Sequence, residues 1–224
     1  MRRRKNILKR RRITTVVCVV LLLISIPVIL AIRGKMAQFR NYGFAREIPE
    51  AEQRLRLTLV EAAESWLGSN EADGSHRAII DRYNSHTPLA QGYTVQYDDQ
   101  WCATFVSASA IEAGLTQIIP TECGCQRQIG LFQELGTWQE DDTHIPLPGD
   151  IIYYSRSNTD NINDCTGWSD HVGIVVGTSG NWIKVIEGNY GDRVGHRYIK
   201  ADATIIRGYA VPDYSLLIES QGAV

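Results

Sequence analysis

Positive charge is scarce in most of this chain. Eight of its 23 lysines and arginines crowd into residues 1–12 (Arg2, Arg3, Arg4, Lys5, Lys9, Arg10, Arg11 and Arg12), leaving 15 against all 25 acidic residues and a net of −10 over residues 33–224. An acidic body argues against nucleic acid as a partner, and the apolar run behind the basic arm argues against reading that arm as a nucleic-acid tail. Repeats and low-complexity tracts are missing as well. Cysteine is sparse: there are five, and Cys123-Gly124-Cys125 has no second cluster at ligand spacing to complete a zinc site. No metal is expected, and no cofactor.

Charge is wholly absent from Ile13 to Ile32, where only Thr14, Thr15, Ser25 and Pro27 interrupt the apolar side chains. At about 1.5 Å per residue this run spans roughly 30 Å, the thickness of a hydrocarbon core. The basic arm on its N-terminal side keeps that end in the cytoplasm and sends the rest outside the cell. A signal-anchor is expected rather than a cleaved leader, because the run is long for a leader and no A-x-A-like site follows it. Cleavage would instead give a secreted form. The expected organisation is therefore a basic cytoplasmic arm (1–12), a single-pass transmembrane helix (13–32), a stalk (33–49), one domain (50–214) and a tail (215–224).

Outside that helix the cysteines are Cys102, Cys123, Cys125 and Cys165. If Cys102 is a free thiolate, the other three permit one disulfide, and Cys123 and Cys125 are too close to pair with each other comfortably. Two readings stand: Cys165 bridged to Cys123 or Cys125, or all three reduced and buried.

The first half of the domain reads as helices. A stripe of Leu55, Leu59, Ala62 and Trp66 follows Glu50 and ends at Gly68; Ile79, Ile80 and Tyr83 mark a second helix. Gln91 to Tyr97 reads as extended. Cys102, Phe105, Val106, Ser109, Ala110 and Ala113 mark a further helix before Gly114, and another runs from about Gln126 to Leu135. The second half reads as strands: Ile151–Tyr154, Val172–Val176 opened by His171, Trp182–Glu187, His196–Ile199 and Ile205–Ala210. Helices first and an antiparallel meander afterwards predict an α+β domain, its helices packed on the sheet.

The chemistry centres on Cys102. Asp98 and Asp99 can cap the helix that follows, which puts Cys102 in its first turn, where the positive end of the helix dipole favours a thiolate. A thiol nucleophile needs a base and a group that orients the base. His171 begins one strand, and Glu187 ends the hairpin partner of that strand, so antiparallel pairing makes them neighbours. Asn189 offers a second hydrogen-bonding group at the same edge. The Cys102 backbone N–H lies where an oxyanion would form, and the Gln100 amide is a candidate second donor. Trp101, Trp168 and Tyr190 are candidates to line a substrate groove. His76, His86, His144 and His196 are expected at the surface.

Asp99-Gln100-Trp101-Cys102-Ala103-Thr104-Phe105-Val106 resembles the nucleophile segment of CHAP domains, the cysteine, histidine-dependent amidohydrolases and peptidases. Pro148-Gly149-Asp150-Ile151-Ile152-Tyr153, Asp170-His171-Val172-Gly173-Ile174-Val175, Ile186-Glu187-Gly188-Asn189 and Arg207-Gly208-Tyr209 follow in the family's order, over roughly residues 55–214. The resemblance implies a papain-like α+β fold. It implies Cys102 as nucleophile, His171 as base and Glu187 as orienting residue, with Asn189 assisting. Some relatives bind calcium through an acidic loop that Asp98-Asp99 does not reproduce. The substrate it implies is an amide bond of peptidoglycan, cut as an N-acetylmuramoyl-L-alanine amidase or as a stem-peptide or cross-bridge endopeptidase would cut it. The alternatives are a thiol amidase, protease or acyltransferase on a non-wall substrate, or a non-catalytic wall-binding module.

Overall fold

A computed structural model describes residues 43–141, 143–156 and 167–222. The expected cytoplasmic arm, the transmembrane helix, Cys18, most of the stalk and Cys165 lie outside the described residues. Among the described residues no helix is long and apolar enough to cross a membrane.

The helical stripes fold as their spacing predicts. Helix α1 (Glu50–Glu64) carries Glu50 and Glu52 in its first turn, at the positive end of its dipole, and buries Leu59, Val60, Ala62 and Ala63. Gly68, at φ +93°, takes the chain out of the following turns. Helix α2 (Arg77–Asn84) buries Ile79, Ile80 and Tyr83. The segment expected to be extended from Gln91 starts instead as a 3-10 turn, Ala90–Gly92, with Gln91 at φ 54°.

Helix α3 (Cys102–Glu112) has no polar face. Every residue from Cys102 to Ile111 is buried, because α1 and α2 cover one side while the sheet covers the other. A helix buried all round belongs in the middle of a domain, and its small residues (Ala103, Ser107, Ala108, Ser109, Ala110) let the neighbouring layers approach closely. Helix α4 (Cys125–Glu134) follows and buries Cys125, Gln128, Ile129 and Phe132.

Among the described residues the sheet has six antiparallel strands: β1 (Trp138–Gln139), β2 (Ile151–Tyr154), β3 (His171–Ser179), β4 (Trp182–Glu187), β5 (Gly195–Lys200) and β6 (Ile206–Ala210), in the order β1-β6-β2-β3-β4-β5. The two-residue strand β1 is too short to show a period in the sequence. Strand β3 runs past its expected end at Val176 to Ser179, with a bulge between Val175 and Gly177. Alternation then divides the side chains. Ile151, Tyr153, Val172, Ile174 and Ile186 join the helices in one core, and Ile152, Tyr154, Val175, Ile183, Val185 and Tyr209 form a second cluster. The expected tail begins as a helix, α5 (Ser215–Gly222), with Leu217 packed on the main core. At the other end Gly43, expected in the stalk, is already bridged to Thr178 of β3.

Two contacts lock the layers. Arg56 of α1, buried, donates through Nη1 to Asp150 Oδ1 at 2.6 Å and through Nε to Glu52 Oε1 at 2.7 Å, while its guanidinium lies 4.5 Å from the Tyr214 ring centre. Asp150 also closes its own turn by accepting the Leu147 N–H at 2.8 Å. Gly188, just past β4, is pressed against α3: a Cβ there would lie 2.4 Å from Phe105 Cβ and 2.9 Å from Trp101 Cζ3. Arg56→Leu strands the buried Asp150 carboxylate, so unfolding in denaturant should show a loss of roughly 3–5 kcal/mol. An unchanged midpoint would mean that the ion pair does not hold α1 to the sheet.

Candidate active site

The start of α3 is shaped by what does not cap it. Trp101 is the N-cap residue, and its side chain makes no cap hydrogen bond. The expected aspartate cap is not made by Asp99, whose carboxylate turns back to accept the Gln96 N–H at 2.7 Å and the Tyr93 O–H at 2.8 Å. The Ala103 N–H bonds the Cys102 sulfur, and with no aspartate cap the Cys102 N–H keeps its capacity to bind a developing oxyanion. Trp101 corrects another expectation. It does not line a groove: its side chain is fully buried, its indole N–H donates to Glu71 Oε1 at 2.9 Å, and its ring lies 5.8 Å from that of His76. A fully buried side chain offers no surface to a substrate. His76, expected at the surface, is buried with it, its ring nitrogens 3.3 Å from the Asn70 carbonyl oxygen and 3.0 Å from that of Tyr97.

The β3–β4 hairpin supplies the second part. Its register pairs Ile174 with Ile186, and one step further brings Glu187 beside Gly173. A side chain at position 173 would collide with Glu187, since a Cβ there would sit 2.6 Å from Glu187 Cγ. With glycine in place, Glu187 reaches His171, and its Oε2 lies 2.9 Å from His171 Nε2. The other oxygen accepts from Arg197 Nε at 2.6 Å. The Tyr154 ring stacks on the imidazole with ring centres 5.9 Å apart. With Nε2 taken by Glu187, Nδ1 is the ring nitrogen left for the thiol.

A third feature lies beside the thiol. Cys125, the first residue of α4, has its Sγ 3.5 Å from Cys102 Sγ. Cys102 is 5 % exposed and Cys125 8 %. The charges follow from these contacts. The hydrogen bond from Cys125 stabilises the Cys102 thiolate most; burial opposes it, and the His171 imidazolium adds to it, so the Cys102 pKa falls well below the usual thiol value. Cys125 moves the other way, because the proton it donates to that thiolate is held there and burial disfavours a second anion. Burial alone would push the His171 pKa down. Its bonds to Cys102 and Glu187 outweigh that and raise it to about 9. Glu187, although buried, is kept ionised by His171 and Arg197. Between the low Cys102 pKa and about 9, the site therefore holds a thiolate beside an imidazolium.

The remaining candidates divide. Asn189, at φ 53°, does not bond His171; its Nδ2 donates to Gln100 Oε1 at 3.1 Å. That bond uses the Gln100 oxygen and leaves its N–H₂ to donate, which suits the oxyanion role considered for Gln100. Trp168 is 73 % exposed, and Tyr190 is half-buried under the Arg197 guanidinium, 4.4 Å from its ring centre. A cavity of about 430 Å³ opens beside Gln100, with Tyr93, Asp99, Cys123 and Arg127 among its walls. Cys123 and Cys125 are both free thiols, and Cys165, the bridging partner in one of the two cysteine readings, lies outside the described residues. Sequence reasoning missed Arg197 and the place of Cys125. Arg197 pairs with Val185 in register, one alternation away from Glu187, so the hairpin pattern contained it. Cys125 opens its helix as Cys102 opens α3, a likeness of position that the sequence also carried.

A family model described as the CHAP domain matches residues 91–189. The match supports the CHAP family and, with it, an enzyme: CHAP domains are cysteine, histidine-dependent amidohydrolases and peptidases. The matched span is shorter than residues 55–214, and it contains Cys102, His171, Glu187 and Asn189. No curated protein and no solved structure matches the chain.

The charge state has a direct readout. Iodoacetamide should alkylate Cys102 rapidly at pH 6–7, below the ordinary thiol pKa of about 8.5. Glu187→Gln removes the anion that helps hold the proton on His171, so the imidazolium should be lost at a pH below about 9. The alkylation profile of Cys102 should shift with it. Identical profiles in the two proteins would show that Glu187 does not tune His171.

Proposed function

We propose that this chain is a membrane-anchored peptidoglycan hydrolase that cuts an amide bond of the cell wall through a Cys102 thioester. The observation that carries the reading is the buried chain Cys102–His171–Glu187, in which a thiolate at a helix start faces an imidazolium held by a carboxylate. Such a pair suits acyl transfer, in which the thiolate is the nucleophile and the imidazolium the proton donor.

The thiolate attacks the substrate carbonyl carbon, and the S–C bond forms as the carbonyl oxygen takes the charge. The Cys102 N–H and the Gln100 amide receive that oxyanion. The C–N bond then breaks, and the leaving amine takes its proton from His171. Water attacks the thioester and gives a proton to the now neutral His171. The C–S bond breaks, a carboxylic acid leaves, and the thiolate–imidazolium pair is restored. Glu187 holds the ring in one orientation throughout, and Asn189 holds Gln100.

Support for a wall polymer as substrate comes from the CHAP match and from the open cavity of about 430 Å³ beside Gln100, which offers room for a stem peptide. The uncharged run 13–32 with its basic flank supports an anchor that leaves the catalytic domain outside the cell and near its substrate. The bond cut is the sugar–peptide amide or an amide within the stem or cross-bridge.

The test compares the full-length protein and its Cys102→Ala variant on purified peptidoglycan, with the released fragments identified by mass spectrometry. Fragments should appear with the unmodified protein and fall at least about a thousandfold in the variant, and the new termini should name the bond. Equal release by both proteins, or none by the unmodified one, would sink the proposal.

A further inference from the structure

Cys125 takes no step in the mechanism above, yet among the described residues its thiol is in contact with the candidate nucleophile. Several contacts fix it there. The Ser107 hydroxyl of α3 donates to the Glu122 carbonyl at 2.7 Å and accepts the Glu122 N–H at 2.9 Å, which ties the segment before α4 to the middle of α3. The Glu122 carboxylate then accepts the N–H groups of Cys123 and Gly124 at 2.8 and 3.1 Å, shaping the turn that delivers Cys125. Both thiols sit on the first residue of a helix, and their sulfurs are 3.5 Å apart. A buried residue of this size needs only to fill space, and alanine or serine would do that. A second thiol in contact with the first can do something more.

We propose that Cys102 and Cys125 form a reversible disulfide that switches the enzyme off under oxidising conditions, with Cys125 as the resolving thiol. The proposal rests on the reading of Cys102 as the nucleophile. A disulfide needs the sulfurs at about 2.05 Å, so they must close by roughly 1.5 Å, within reach of side-chain rotation and a small shift of α4. The oxidant is a peroxide. Cys102 thiolate attacks one peroxide oxygen, the S–O bond forms, the O–O bond breaks, and the other oxygen leaves and takes a proton. Cys102 is then a neutral sulfenic acid. The negative charge that held the proton on Cys125 has disappeared in the same step, so that thiol can now ionise. Cys125 attacks the Cys102 sulfur, the S–S bond forms, and the S–O bond breaks with loss of water. Two thiols and one peroxide become one disulfide, an alcohol or water, and water. A dithiol reverses the change by exchange. Without Cys125 the sulfenic acid would go on to sulfinic acid, which thiols do not reduce. The same contact that makes Cys102 a good nucleophile thus also protects it from irreversible loss.

The experiment treats the reduced full-length protein with graded hydrogen peroxide, blocks free thiols, and maps peptides by mass spectrometry without reduction. The expected product is a Cys102–Cys125 linked peptide pair, two hydrogens lighter than the separate peptides. Peptidoglycan hydrolysis should fall at least about tenfold as the link forms and return with dithiothreitol. In Cys125→Ala the same treatment should give Cys102 sulfinic acid that dithiothreitol does not restore to an alkylatable thiol. Sulfinic acid at Cys102 in the unmodified protein, a link from Cys125 to Cys123 or Cys165 in place of Cys102, or full activity in the linked form would each overturn the switch. The link is scored by mass and needs no functional variant. A protein that links reversibly but releases no fragments when reduced would overturn the wall substrate and leave the disulfide standing.

Discussion

A carboxylate buried as deeply as Glu187 must find cationic partners or give up its charge. It has two, His171 on one oxygen and Arg197 on the other, and the arrangement of strands follows from that need. β3 must begin with the histidine, β4 must end with the glutamate, and β5 must return an arginine to the same edge. Gly173 clears the space in which the carboxylate bends toward the imidazole. The charge is then passed along: glutamate holds imidazolium, imidazolium holds thiolate, and the thiolate takes a further bond from Cys125. Each member is ionised because its neighbour is, so the site acts as one electrostatic unit.

Helix α3 makes that unit possible from the other layer. Its small residues allow close packing on both sides, and Gly188 lets the end of β4 press against Phe105 and Trp101. The consequence is rigidity where the reacting atoms meet. Both faces of the joint are secondary structure, and neither Cys102 nor His171 is carried on a loop that would have to be ordered before reaction.

Much of this was legible in the sequence. The stripe through Leu55, Leu59 and Ala62 and the continuous apolar run Ile151–Tyr154 each signalled one element, because each is a local pattern that is read without knowing its distant partners. The neighbourhood of His171 and Glu187 was legible for the same reason, as a property of one short hairpin. What escaped depends on contacts between elements far apart in the chain. The burial of Trp101 and His76 depends on Glu71 and the loop that carries it, and no local pattern encodes that loop's path. The capping role expected of Asp98 or Asp99 failed because Asp99 found nearer donors in Tyr93 and Gln96. The meeting of Cys125 with Cys102 is set by Ser107 and Glu122, an agreement between a helix interior and a loop that periodicity does not carry.

The bridge between Gly43 and Thr178 also marks where the described chain first meets the sheet. The chain joins β3 near its far end, and His171 stands at the other end of that strand, seven residues away. At about 3.3 Å per residue, the point of attachment and the reacting atoms are separated by roughly 23 Å of rigid strand. The length of β3 thus keeps the strand end that carries His171 well apart from the end that meets Gly43.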